Sequence, residues 1–205
     1  WARRVALAAA ALAAIALMAG PALGGPPPRD ANGLVVRVLD VGQGDAIPLE
    51  PPDAAPVLVD TGPPAGGAAE RLRDLGVDAL GAVVVTHGDS DHAGGLADVL
   101  AIAPAGRVLR ALPEGGEVRA GELRLSALWP PRDLPDAGRG VEENQLSIVL
   151  LAEWRHFSML LTGDAEAEAV PLDPGPVDVL KLAHHGSADA GLEGLLERTA
   201  PRLAV

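Results

Sequence analysis

Within six residues the chain places His87, Asp89, Asp91 and His92, in the run His87-Gly88-Asp89-Ser90-Asp91-His92. Two imidazoles and two carboxylates on one tight loop make a multidentate site for cations. Asp89 and Asp91 would repel each other if uncompensated, and a divalent ion removes that penalty. The plainer alternative is an Asp-rich turn that caps a following helix. Four further pieces carry related residue types. Leu161-Thr162-Gly163-Asp164 ends an apolar run in a carboxylate. Leu182-Ala183-His184-His185-Gly186-Ser187 sets two adjacent histidines after another; neighbouring strand side chains diverge, so one of the two would ligate. Asp60 stands at the end of a third run, Val59-Asp60-Thr61-Gly62. The loop from Leu39 to Ala46, which contains Gln43 and Asp45, is too Gly-rich to serve packing alone.

A carboxylate-rich set with few imidazoles suits harder ions such as Mn²⁺ as well as Zn²⁺. The chain has no cysteine, which excludes disulfides, thiolate ligands and a Cys nucleophile. A divalent ion held here would lower the pKa of a bound water and make it a nucleophile.

The elements that must position these groups are short. Apolar, β-branched runs at 34–39, 56–59, 82–86, 122–128, 146–151, 157–161 and 177–182 predict strands. Leu96, Val99, Leu100 and Ala103 share one helical face, as do Leu192, Leu195 and Leu196. Strands early and late, with helices between, predict a layered α/β fold. The 205 residues match one ordinary domain, and at 48% apolar but 2% aromatic its core must be Leu, Val and Ala. Abundant Gly (25) and Pro (19) predict many tight turns. A net charge of −12 weighs against strong intrinsic affinity for nucleic acid, although bound cations would invert the local field.

Residues 5–24 carry no charge, and a helix of that length spans ~30 Å, the thickness of a bilayer core. Arg3 and Arg4 precede it and would stay in the cytoplasm, sending the rest outward. The run reads as a transmembrane helix; a signal peptide and a buried helix are the alternatives. Residues 1–28 are thus read as span and Pro-rich linker, and 29–205 as the globular domain. Trp1 in place of Met, and a last residue inside what reads as a strand, suggest a chain cut at both ends.

Taken in order, these pieces resemble the metallo-β-lactamase superfamily, and within it the extracytoplasmic hydrolase domain of ComEC-type competence proteins, which internalise DNA. The resemblance covers residues 34 to 205, through LDVGQGDA (39–46), LVDTG (58–62), VVTHGDSDHAGGL (84–96), ENQLSIVLL (143–151), LLTGDAE (160–166) and VDVLKLAHHGS (177–187). It implies a four-layer αββα sandwich, preceded by the apolar helix, with two divalent ions (Zn²⁺ or Mn²⁺) at one edge. His87 and Asp89 would bind the first ion, and Asp91 and His92 the second. Asp164 would bridge them, and His184 or His185 would complete the second site. Asp91, Asp164, Lys181 and Ser187 would carry the catalytic roles. Asp60 would orient a ligand histidine, with Asp45 and Gln43 at the mouth.

Three departures stand out. The family's further first-site histidine has no counterpart, and Asn144, in the right stretch, is a poor ligand. The family continues beyond Val205. Ala188-Asp189-Ala190 replaces a Lys-Thr-Ser common among relatives. The implied function is a DNA phosphodiesterase of competence-related uptake, partnered by single-stranded DNA, a membrane through residues 5–24 and the family's membrane-channel portion. It would sit at the cell membrane with the hydrolase domain outside. A non-catalytic metal-binding module of the channel, or an acyl or lactam hydrolase of the same fold, are the rival readings.

Overall fold

The computed structural model describes residues 32–133, 142–168 and 170–205. The apolar run and linker at 1–28, with the membrane helix expected there, lie outside them. Among the described residues no helix is long and apolar enough to cross a membrane.

Two sheets form. The first contains β1 (Val35–Val36), β2 (Ile47–Glu50), β3 (Val57–Val59), β4 (Ala82–Val84) and β5 (Val108–Leu109), in that spatial order. The second contains β6 (Glu117–Ala120), β7 (Leu123–Trp129), β8 (Val149–Trp154), β9 (Phe157–Leu161), β10 (Val179–Lys181) and β11 (Leu203–Ala204), in the order β11-β10-β9-β8-β7-β6. β6 to β9 run as an antiparallel meander, and β9, β10 and β11 are parallel. In the first sheet β3, β4 and β5 are parallel.

Period-two alternation sorts the side chains into three apolar layers. Val57, Val59, Ala82 and Val84 face the second sheet and pack with Leu125, Leu150, Met159, Leu161 and Val179. Their neighbours Leu58, Val83 and Val85 point the other way, onto α1 (Ala68–Asp74) and α3 (Leu96–Ile102). On the far side Val149, Leu160 and Leu180 meet Leu195 of α4 (Leu192–Thr199). Helices, sheet, sheet and helix are the four layers expected.

Each predicted run contains a strand, but the bounds move. Residues 143–146 form a 3-10 turn, and β8 starts at Val149. β2 escapes sequence reading because Pro48 interrupts it; Pro48 still accepts a bond from Arg37 N–H through its carbonyl. β6 reads Glu-Val-Arg-Ala, polar except on its buried face, and β5 is only two residues long.

Candidate metal centre

The site forms where loops from both sheets meet at one rim. β4 leads through Val85 and Thr86 to His87, and α2 (Ser90–Ala93) carries Asp91 and His92. Asp89 is the residue before α2, yet its carboxylate makes no capping bond, so helix capping does not account for it. Asp60 follows β3, Asp45 precedes β2, Asp164 follows β9, Lys181 ends β10 and His185 follows it. Gly44, at φ 128°, turns the Asp45 loop directly against the backbone carbonyl of Asp91, where a Cβ would collide.

Asp60 is the hub. It is fully buried, and its Oδ1 accepts the Thr86 N–H at 2.7 Å. Its Oδ2 accepts the Thr86 hydroxyl at 2.7 Å and faces His92 Nδ1 at 2.8 Å. His92 therefore donates from Nδ1 and turns Nε2 into the cleft. The Thr86 proton is committed to Asp60, so its oxygen can only accept from His87 Nδ1, 3.1 Å away. Ser147 Oγ adds a second contact to that nitrogen at 3.0 Å and accepts the Asp164 N–H at 3.2 Å. The network thus assigns His87 the Nδ1–H tautomer and leaves a lone pair on Nε2.

The polar atoms converge in two groups that share Asp164. His87 Nε2 lies 3.6 Å from Asp89 Oδ2 and 3.9 Å from Asp164 Oδ2. His92 Nε2 lies 3.1 Å from Asp164 Oδ1, 3.3 Å from His185 Nε2 and 4.0 Å from Asp91 Oδ2. His185 Nε2 is 3.5 Å from Asp91 Oδ2 and 3.8 Å from Asp164 Oδ1. Asp45, His92, Asp164 and His185 also present ligand-type atoms within 4.8 Å of one another. Asp45 Oδ2, however, is paired with the Lys181 ammonium.

Two observations test whether cations fit. Among the described residues His87 Nε2 and Asp164 Oδ1 are buried with no hydrogen-bond partner; the 3.1 Å approach of His92 to the latter lacks hydrogen-bond geometry. Buried polar atoms are rarely left so, and both orphans face the cleft. The donors around them are imidazole nitrogens and carboxylate oxygens, a set that suits divalent ions.

The titrations follow the same geometry. Burial, reinforced by the charge on His92, lowers His87 below the usual histidine value and keeps it neutral. Burial opposes charge on His92 as well, but Asp164 and Asp60 outweigh it and push its pKa up to about 10. Burial would raise Asp164, yet His92, with Lys181 and His185, holds it down to about 2. Asp45 faces the same burial penalty and is lowered by His185 and Lys181. The Asp45 carboxylate raises His185, against burial and the Lys181 charge.

The other expected residues lie apart. His184 points its Nδ1 at Glu166 Oε1 (2.9 Å), and Ser187 donates to the same oxygen (2.8 Å). The divergence of the two histidines does not come from a strand pleat. Both sit in a turn at positive φ, 48° and 53°, which swings the rings to different sides. Gln43 is exposed and Asn144 is half-buried in the 3-10 turn. Sequence reading missed Thr86, Ser147, Glu166 and Glu143, whose carboxylate accepts the Gly88 N–H at 3.0 Å. Their types are too common to signal. It also set Asp45 at the mouth, whereas the side chain is buried beside His185 and Lys181.

A four-layer sandwich with an Asp/His cluster at one rim is the arrangement of the metallo-beta-lactamase superfamily, which residues 39–151 match. The chain belongs to that superfamily, a family of metal-dependent hydrolases. Among its relatives are the Recombination protein 2 of Haemophilus influenzae, 32% identical over 83% of this chain and 24% of the relative, and the Competence protein ComA of Neisseria gonorrhoeae, 30% identical over 94% of this chain and 29% of the relative. The chain thus spans about a quarter of the length of these curated relatives. Among solved structures, the metallo-beta-lactamase SMB-1 bound to 2-mercaptoethanesulfonate superposes with a TM-score of 0.56 at 16% identity, covering 78% of this chain and 81% of that one. At that identity the likeness is one of fold.

Proposed function

We propose that this domain is a two-cation phosphodiesterase that cuts DNA, preferring a single strand, during uptake across a membrane. The observation that carries the reading is the pair of donor groups sharing Asp164, with buried His87 Nε2 and Asp164 Oδ1 left without partners. His87, Asp89 and Asp164 would hold one ion, and Asp91, His92, Asp164 and His185 the other, as Mn²⁺ or Zn²⁺. When bound, such ions supply Lewis-acid polarisation and an activated water. The chain's own part is orientation: Asp60 fixes the tautomer of both His87 and His92, and Asp164 joins the two groups. The half-buried carboxylates of Asp89 and Asp91 open to solvent, where an anionic backbone would approach only with cations in place.

The names of the relatives, a recombination protein and a competence protein, support DNA as substrate. The apolar run at 5–24, preceded by Arg3 and Arg4, supports a place at the membrane with the domain on its extracytoplasmic side. The family's membrane-channel portion would be its partner there.

The test is a nuclease assay on single-stranded DNA with Mn²⁺, run beside a chromogenic lactam. DNA cleavage abolished by chelator supports the proposal; lactam turnover without DNA cleavage would reject it. One observation favours a second reading. The first group has three donors, His87 Nε2, Asp89 and Asp164, and Ser147 serves the Nδ1 side of His87 rather than the ion. Tight binding of one ion, with DNA retained but never cut, would indicate a module that positions DNA.

A further inference from the structure

Lys181 ends β10 with only 4% of its surface exposed. Its ammonium contacts Asp45 Oδ2, donates to the Gly163 carbonyl at 3.1 Å and stands 4.0 Å from Asp164 Oδ1. Two of its three N–H donors are taken, by Asp45 and Gly163, and burial closes the ammonium off from an approaching substrate. Asp45 is equally buried, at 5%. Its other oxygen, Oδ1, faces His185 Nδ1 at 3.6 Å. That is the far side of the ring from Nε2, where Asp91, His92 and Asp164 gather. The arrangement parallels, at 3.6 Å rather than 2.8 Å, the one between Asp60 and His92, in which a buried carboxylate takes Nδ1 and turns Nε2 inward.

We infer that Asp45 is the positioning carboxylate of His185 and that Lys181 is a built-in counter-cation holding Asp45 in that role. The inference rests on the two-cation reading of the site. Without Lys181, Asp45 would be a buried anion beside the cluster, free to turn an oxygen toward His92 and Asp164, within reach of the same ion. With Lys181 in place, one oxygen is neutralised and the other is aimed at a nitrogen. Lys181 also grips the carbonyl of Gly163, the residue before Asp164, so one ammonium sets the backbone leading to Asp164 as well as the side chain behind His185.

The test uses Co²⁺ as a spectroscopic probe, bound to the unsubstituted chain, to Asp45→Asn and to Lys181→Met. Bands in the visible spectrum at saturation report the ligand set, and chelator competition reports affinity. Asp45→Asn keeps the shape of the carboxylate, so the bands should stay in place while affinity falls on the order of 10–100-fold, as for other groups behind ligands. Lys181→Met should lower affinity by at least about tenfold or shift the bands as Asp45 joins the ion. Bands that shift in Asp45→Asn, with a ligand lost, would make Asp45 itself a ligand and overturn the inference. Lys181→Met with the bands and affinity of the unsubstituted chain would overturn it too, and that result stands alone if Asp45→Asn does not fold. An unsubstituted chain that takes up no Co²⁺ would instead remove the two-cation reading beneath it.

Discussion

Asp60→Asn removes one charge from the hub without changing its shape. Asp60 sits at φ 59°, a left-handed conformation that Asn adopts more readily than other residues, so the backbone should be kept. The amide cannot serve all three present donors. With its oxygen on the Thr86 N–H, its NH₂ faces His92 Nδ1, forcing the ring proton to Nε2 and blocking the atom turned toward Asp164. With the amide reversed, NH₂ meets the Thr86 N–H and two buried donors collide. Bonds to a charged group are worth ~1.5–3 kcal/mol and neutral ones ~0.5–1.5 kcal/mol. Weakening two bonds and misplacing one proton should cost the metal-free domain ~2–3 kcal/mol, read from urea unfolding. Mn²⁺ affinity should fall on the order of 10–100-fold by chelator competition. Thr86→Val is the companion: it cuts only the hydroxyl that joins Asp60 to His87, and should weaken the ion at His87 more than the one at His92. Asp60→Asn with Mn²⁺ affinity within about twofold of the unsubstituted chain would refute the hub.

Asp164→Asn should lower the bound Mn²⁺ count from two toward one by elemental analysis, and should cut hydrolysis far more than DNA binding; two ions with full activity would mark Asp164 as a turn residue. His185→Gln should lose an ion, while His184→Gln, whose ring is turned to Glu166, should keep both and most activity. In the chelated protein His92 has a folded pKa of about 10 against 6.5 unfolded. The stability it contributes is therefore full below pH 6.5 and is lost as pH rises through about 10, which unfolding curves across that range will show. A cation must displace the Nε2 proton, so affinity should climb by about tenfold per pH unit up to that value, and a flat profile between pH 6 and 9 would contradict it.

A layered α/β fold was legible from the apolar runs and the four-layer order from the resemblance; in the structure, alternation such as Val57-Leu58-Val59 serves two apolar faces at once. β2 and β6 were not legible, since Pro48 and the charges of Glu117 and Arg119 mask strands that are held by pairing with β3 and β7, which follow them in the chain. For the site, His87, Asp89, Asp91, His92 and Asp164 stood out by type, as did the pair His184 and His185, and the structure brings all of these but His184 together. What spacing could not reveal was depth. Asp45 and Lys181 come from different sheets and meet only through the fold, and Ser147 matters because it falls opposite His87.

The chain has no cysteine, and its two sheets meet through apolar contacts. At the rim, residues 93 apart in sequence, His92 and His185, face each other across the seam. An ion held by both would act as a reversible rivet, closing a long loop that the unfolded chain leaves open. Each ion present at a thousand times its dissociation constant would add ~4 kcal/mol to the folded state. Cation supply would then govern how firmly the sandwich stays shut, and a chain deprived of it would open first at the rim where its chemistry lies.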